Sequence, residues 1–393
     1  MITRTSTVLF SYAFRPFFLA AGGYAVVSLA LWVAGFHGLR WPLAPAAITP
    51  AWHAHELTIG FAGAVVAGFL LTAVATWTGR APLRGAPVAT LAAAWLLGRI
   101  AGAFGGALPP LAVALLDLLF PVLLATFATR EIVLGASRRN YGIAVITWAL
   151  ALLTTLYHLG AAGLVAGGDW LAVTLSVHLL ALLVTVIGGR VIPLFTANWL
   201  RLRGDTTGPA PWAWIDSAGL GLMPIAAVAD TAAPGSVFAA VACLLAGGAN
   251  AWRLVRWRGL ETGANPLLWV LHAAFAALCA GYLLLGATAL GLPLARSAAL
   301  HLVTVGGIAG VILAMMTRVA LGHTGRPLAV TRPIVAAYGL LGVAALARSL
   351  GMALPGAYLP MIDTAALLWI AAFTLFLWVY APILVRPRPD QPL

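Results

Sequence analysis

The feature that most constrains this chain is the repeated return of long apolar runs. A helix needs about 20 such residues to cross a hydrocarbon layer about 30 Å thick, and only helices or closed barrels can cross it. Twelve runs of that length follow one another, at about 17–36, 55–76, 88–107, 110–129, 142–163, 171–190, 212–230, 234–252, 266–286, 297–317, 333–353 and 364–385. Charged residues make up 8% of the 393, against about a quarter in soluble domains. The expectation is an all-α polytopic membrane protein: twelve transmembrane helices in one transmembrane domain over residues 1–393. The first run begins after Arg15 without a small-residue cleavage site, so it reads as a retained helix.

A net charge of +12 invites a nucleic-acid reading, and its placement argues against one. Every basic residue other than histidine is arginine. With the N-terminus inside, the arginines crowd the cytoplasmic ends, Arg4, Arg15, Arg80, Arg130, Arg190, Arg318, Arg326 and Arg388 among them. Only Arg40, Arg296 and Arg348 fall toward the other side, and Arg99 sits within a span. This positive-inside pattern places both termini in the cytoplasm and makes membrane lipid, not nucleic acid, the partner of the charge. The two cysteines, Cys243 and Cys279, lie within spans without a CxxC and read as packing residues.

The spans repeat. "HELTIGFAGAVVAGFLLTAVATWTGR" (55–80) lies without a gap over "HLVTVGGIAGVILAMMTRVALGHTGR" (301–326). His55 then falls on His301, Thr58 on Thr304, Gly60 on Gly306, and Thr78-Gly79-Arg80 on Thr324-Gly325-Arg326. "GRIAGAFGGALPPLAVALLD" (98–117) resembles "ARSLGMALPGAYLPMID" (347–363) in the same way. The simplest organisation is three pseudo-repeated four-helix units, about 14–129, 138–252 and 264–385, with the second, sixth and tenth helices equivalent and near the centre.

Arg99 and Asp117 lie nine residues either side of Leu108, in the turn between their spans, hence at one depth of about 13 Å. A lone charge at that depth is costly, so pairing is expected. Arg348 and Asp363 repeat the arrangement nearer the surface. Two readings stand side by side: a structural ion pair in each hairpin, or arginines that also hold an anionic group such as a haem propionate.

By this topology His37, His53, His55, His158, His178 and His301 gather toward the outer side, with His272 and His323 toward the cytoplasm. Neutral imidazole ligates haem iron and copper. One imidazole from each of two facing helices at matching depth makes a bis-histidine haem site, and the repeat offers His55 and His301. His53 is about 200° around the helix from His55, so the two cannot face one iron. His53 and Glu56 share a face and suit a second metal, with His178 and His158 able to complete it. Against each stands a plain reading as an interfacial, loop or packing histidine; for His37 that reading prevails, and for His272 and His323 local chemistry leaves the choice open.

Walker, GxSxG and HExxH motifs are absent, and no GxGxxG opens a soluble domain. Asp117 and Glu56 are the acidic residues expected away from helix ends, so a chain of intramembrane carboxylates for ion-coupled transport is missing. Transport of a small metabolite or metal complex is the rival from another class, since helix number and repetition fit it too.

The stretches "FRPFFLAAG" (14–22), "WHAHELTIGFAGAVVAGFLLTAVATWTGR" (52–80), "LLGRIAG" (96–102), "GGRVIPLFTAN" (188–198), "NPLLWVLHAAF" (265–275) and "LHLVTVGGIAGVILAMMTRVALGHTGRPL" (300–328) together resemble the NnrS family, from residue 14 to the last helix. The resemblance implies a twelve-helix bacterial inner-membrane protein that binds haem and copper and serves in nitric oxide metabolism and nitrosative stress. Arg15, His53, His55, Glu56, Arg99, Asp117, Arg190, His272, His301, Arg318, His323 and Arg326 fall on its motif positions. A remoter architectural similarity is to haem–copper oxidases and nitric oxide reductases. Here the sixth helix has one histidine without the Pro-Glu those enzymes place after it, the seventh has none, and the tenth has one instead of a pair. The three-histidine copper centre is therefore absent as such. The sequence expectation is haem b bound by His55 and His301, with Arg99 and Arg348 near its propionates. A copper site is drawn from His53, Glu56, His178 and His158, with His272 and His323 as further metal candidates. Nitric oxide is the expected ligand, bound, reduced or merely sensed, and the electron donor is not named by any motif.

Overall fold

A computed structural model describes residues 8–39, 48–210, 212–354 and 356–390; Arg4 and Arg40 lie outside them. The described residues contain no β-strand and twelve long helices. These are α1 (Phe14–Phe36), α2 (Pro50–Thr78), α3 (Ala86–Ala103), α4 (Pro110–Leu134), α5 (Tyr141–Ala161) and α6 (Gly168–Leu202). After them come α7 (Ala213–Ala232), α8 (Val237–Val255), α9 (Pro266–Ala289), α10 (Arg296–His323), α11 (Arg332–Leu350) and α12 (Tyr358–Val385).

Eleven of the twelve are long and apolar enough to span a membrane. The exception is α7, which covers the expected run at 212–230. It has the length, but it carries Asp216 and Asp230 and falls short in apolarity. Leu115, Val145, Leu152 and Val228 stand exposed on helix surfaces, an outward face suited to lipid. The most enclosed helices are α2 and α10, whose most apolar windows are 83% and 72% buried, followed by α6 and α9. The repeat singles out the first three of these and not α9.

Local chemistry sets the helix ends. The Thr49 side chain accepts the Trp52 amide at 3.1 Å, with Pro50 in the first turn of α2. Ser236 caps α8 and Asn265 caps α9 in the same manner. At the far end of α2, Gly79 takes the left-handed conformation (φ 68°), and Gly325 does so just after α10 (φ 66°).

The likeness of α2 and α10 reaches the backbone. Each is α-helical up to its histidine and then widens into a π-helix, Glu56–Ala62 after His55 and Leu302–Ala309 after His301. In both, a threonine three residues on turns its hydroxyl back to the carbonyl four before it, Thr58 to Ala54 at 2.7 Å and Thr304 to Leu300 at 2.9 Å. Such back-bonding bends helices, and π segments concentrate at functional sites.

The chain gathers into two compact units. One comprises Met1–Ser176, Val319–Pro327 and Phe373–Leu393; the other comprises Val177–Arg318 and Leu328–Ala372. In the first, α1 packs on α2, α2 on α4, α3 on α4 and α4 on α5. In the second, α8 packs on both α7 and α9, while α9 and α11 pack on the π segment of α10.

Candidate functional site

The first unit buries a charged cluster at the start of the α2 π segment. Arg99 of α3 donates through Nη1 to Glu56 Oε2 and through Nη2 to Asp117 Oδ1 of α4. Tyr24 of α1 donates its hydroxyl to the same Glu56 oxygen. The other Glu56 oxygen faces His55 Nδ1 at 3.2 Å. Asp117 Oδ2 receives His158 Nε2 of α5 at 2.8 Å and lies 3.2 Å from His55 Nε2. That last pair is close but not aligned, and His55 Nε2 has no hydrogen-bond partner. The His55 ring lies flat on Tyr157, 4.0 Å between centroids. The Arg99, Glu56, Asp117 and His55 side chains are only 3% exposed, and His158 is 13% exposed.

The helices approach closely because two glycines make room. A Cβ on Gly60 would meet Tyr24 Cε1 at 2.6 Å and Arg99 Nη1 at 3.0 Å, and one on Gly98 would meet Asp117 Oδ1 at 2.9 Å. Trp95 Nε1 donates to the Gly60 carbonyl at 2.8 Å, satisfying a polar group inside the widened turn. One guanidinium faces two carboxylates, so with both imidazoles neutral the cluster carries one net negative charge. In a low-dielectric interior that charge favours a bound cation.

The second unit buries a different cluster. His178 of α6 uses both ring nitrogens, Nδ1 with the Tyr282 hydroxyl at 2.8 Å and Nε2 with Asp230 Oδ2 at 3.0 Å. Arg296, at the start of α10, donates to both Asp230 oxygens. His301 Nδ1 donates to the Ser297 carbonyl at 2.7 Å, which leaves Nε2 as the ring's acceptor. Arg348 Nη2 donates to Ser297 Oγ at 3.3 Å, and its Nη1 is buried without a partner. His272 Nε2 meets Thr196 Oγ1 at 2.9 Å, and its Nδ1 is likewise unpartnered.

With this geometry in place, comparison with known families decides the assignment: the NnrS protein family matches residues 8–388. The chain belongs to the NnrS family. No curated protein matches it. Its helices and its family fit a membrane protein of the nitric oxide response.

Of the NnrS motif positions, His55, Glu56, Arg99 and Asp117 come together, with His158 added by α5. The expected pairing of Arg99 with Asp117 is present, and Arg348 donates to Ser297 Oγ of α10. Glu56 turns to Tyr24, Arg99 and His55, while His53 stacks on Trp32 with centroids 4.6 Å apart. His178 is fully engaged within the second unit. His323 packs beside Phe14 and Tyr12. Arg15 donates to the Leu384 and Arg386 carbonyls at 2.8 Å, fastening the start of α1 to the end of α12. Arg318 lies over the Phe195 ring at 3.9 Å.

The sequence reading missed Tyr24, Tyr157, Asp230 and Tyr282. A signal existed for the tyrosines, since a phenol deep in an apolar run needs a partner for its hydroxyl. Asp230 had a weaker one in Arg296, one of the few arginines on the expected outer side.

Proposed function

We propose that this protein binds haem and copper in the bacterial inner membrane and protects against nitrosative stress by binding or reducing nitric oxide at a buried metal site. The observation that carries the reading is the Arg99 cluster, whose buried imidazoles and carboxylates exceed what an ion pair between two helices requires. A copper centre held by such residues would supply an open coordination position for nitric oxide.

The residues differ in what they suit. At His55 an Asp117 oxygen stands 3.2 Å from Nε2, which fits a metal ion between the two and leaves no room for a macrocycle on that nitrogen. For His55 we therefore favour a metal-ion ligand, in place of the haem ligand expected from the sequence. His301 suits an axial haem position better. Its Nδ1 is tied to a backbone carbonyl, which fixes the ring and leaves Nε2 as the nitrogen free to ligate. The free Nη1 of Arg348, near Ser297, suits an anionic group such as a propionate.

Arg99 and Tyr24 hold Glu56, and Glu56 orients His55. Tyr157 covers one face of the His55 imidazole and keeps it from water. Nitric oxide, small and neutral, reaches a buried site through lipid and needs no polar channel.

Purified protein expressed with ample haem and copper should show a Soret band and bound copper, and nitric oxide should shift the spectrum. His301→Ala should abolish the Soret band or convert it to that of a different ligation. A colourless, metal-free preparation would overturn the reading in favour of transport.

A further inference from the structure

We infer that His55 Nε2, His158 Nε2 and Asp117 Oδ2 form one coordination site for a divalent first-row transition-metal ion, separate from any haem. The inference deepens the metal chemistry proposed above and rests on it.

Metal bonds to imidazole nitrogen and carboxylate oxygen are about 2.0–2.2 Å long, which places neighbouring ligand atoms about 2.8–3.6 Å apart for angles between about 90° and 110°. Asp117 Oδ2 stands 2.8 Å from His158 Nε2 and 3.2 Å from His55 Nε2, and the three atoms lie within 4.8 Å of one another. Two edges of a coordination polyhedron are therefore in place, and only the edge between the imidazoles has to tighten.

The outer partners aim the donors. Histidines on metals commonly give their other N–H to a carboxylate, and His55 faces Glu56 in that way. Arg99 occupies Asp117 Oδ1, so Oδ2 is the oxygen turned to both imidazoles. A plain hydrogen-bonded cluster accounts for Arg99, Asp117 and His158. It leaves His55 Nε2, on a side chain 3% exposed, without an aligned hydrogen bond although the same carboxylate oxygen stands 3.2 Å away.

Two imidazoles and one carboxylate, without thiolate, suit a borderline divalent ion such as copper(II), zinc, iron(II) or cobalt(II), with copper(II) the tightest of them. Three protein ligands leave at least one position open for a small molecule. A divalent ion also offsets the cluster's net negative charge. His158, at 13%, is the most exposed of the three ligands.

The test uses the full-length protein in detergent, stripped with a chelator and titrated with cobalt(II), zinc competing. One cobalt per chain with visible d–d bands is expected. Glu56→Gln should weaken binding roughly 10–100-fold as an outer partner. His158→Gln, which keeps the Arg99 pairs, should abolish it. His158→Cys should restore cobalt binding with a new thiolate-to-cobalt charge-transfer band, a signature no structural role produces. Unaltered cobalt affinity in His158→Gln together with no such band in His158→Cys would overturn the site, whatever the haem spectrum does. Cobalt binding lost in His158→Gln with no response of the native protein to nitric oxide would uphold the site and sink the nitric oxide reading.

Discussion

Each unit buries a histidine beside an aspartate held by an arginine, yet the two clusters are finished differently. In the second unit, Tyr282 and Asp230 use both nitrogens of His178, and nothing in that ring is left to give. In the first unit, His55 keeps a bare Nε2, and a second imidazole shares its carboxylate oxygen. A saturated histidine ties helices together, whereas an unsaturated one beside a carboxylate is poised for a ligand. Counting intramembrane histidines does not separate these cases; their partners do.

The largest expected difference is in the arginines. Arg99→Met leaves Glu56 and Asp117 facing each other without a cation, and removing one partner of a buried pair costs about 3–5 kcal/mol. Arg296 is 35% exposed, so water replaces part of what Arg296→Met removes, and the loss should be clearly smaller. Thermal unfolding in detergent compares them; equal losses would mean that the two clusters are structurally equivalent.

Next come the two aligned glycines. A methyl at Gly60 meets Tyr24 Cε1 at 2.6 Å and Arg99 Nη1 at 3.0 Å, overpacking that costs about 1–3 kcal/mol and displaces Arg99. At Gly306 the nearest atom is the Ala277 methyl at 2.9 Å, with no charge to displace. Gly60→Ala should therefore lower both stability and metal content, and Gly306→Ala stability alone. Metal analysis beside the melting curve tells them apart.

The smallest effect belongs to the loops after α6 and α8, where Arg258 of the second bonds Asp205 of the first and its own neighbour Glu261, each at 2.5 Å. The Arg258 guanidinium first, and Thr207 second, hold the Asp205 carboxyl well below the usual carboxylate range. A carboxyl depressed in the folded state stabilises it at and above the unfolded value of about 3.9, and that contribution is lost as pH falls below it. Because the pair is only partly buried, the effect is slight and screened by salt. Limited proteolysis of the loops should quicken only below about pH 4 in the parent, and Asp205→Asn should be pH-independent there.

Much of this fold is legible in the run of apolar segments, because backbone groups in lipid must bond within their own helix and leave few alternatives. The likeness of α2 and α10 was equally legible, down to the threonines and glycines that shape both ends. At α7 the apolar signal is weaker: its length matches a span, but its aspartates serve buried partners that no local pattern announces.

The sequence by itself determined a helical membrane protein, its family motifs, and the pairing of Arg99 with Asp117, since the spacing from one turn sets equal depth. Only the tertiary structure decided which histidines are spent and which remain open. That depends on how α1 to α5 rotate against one another, and rotation is set by side-chain packing over distances that no single helix encodes. Tyr24 and Tyr157 show the difference: unremarkable in the chain, they orient Glu56 and cover His55 once the helices meet.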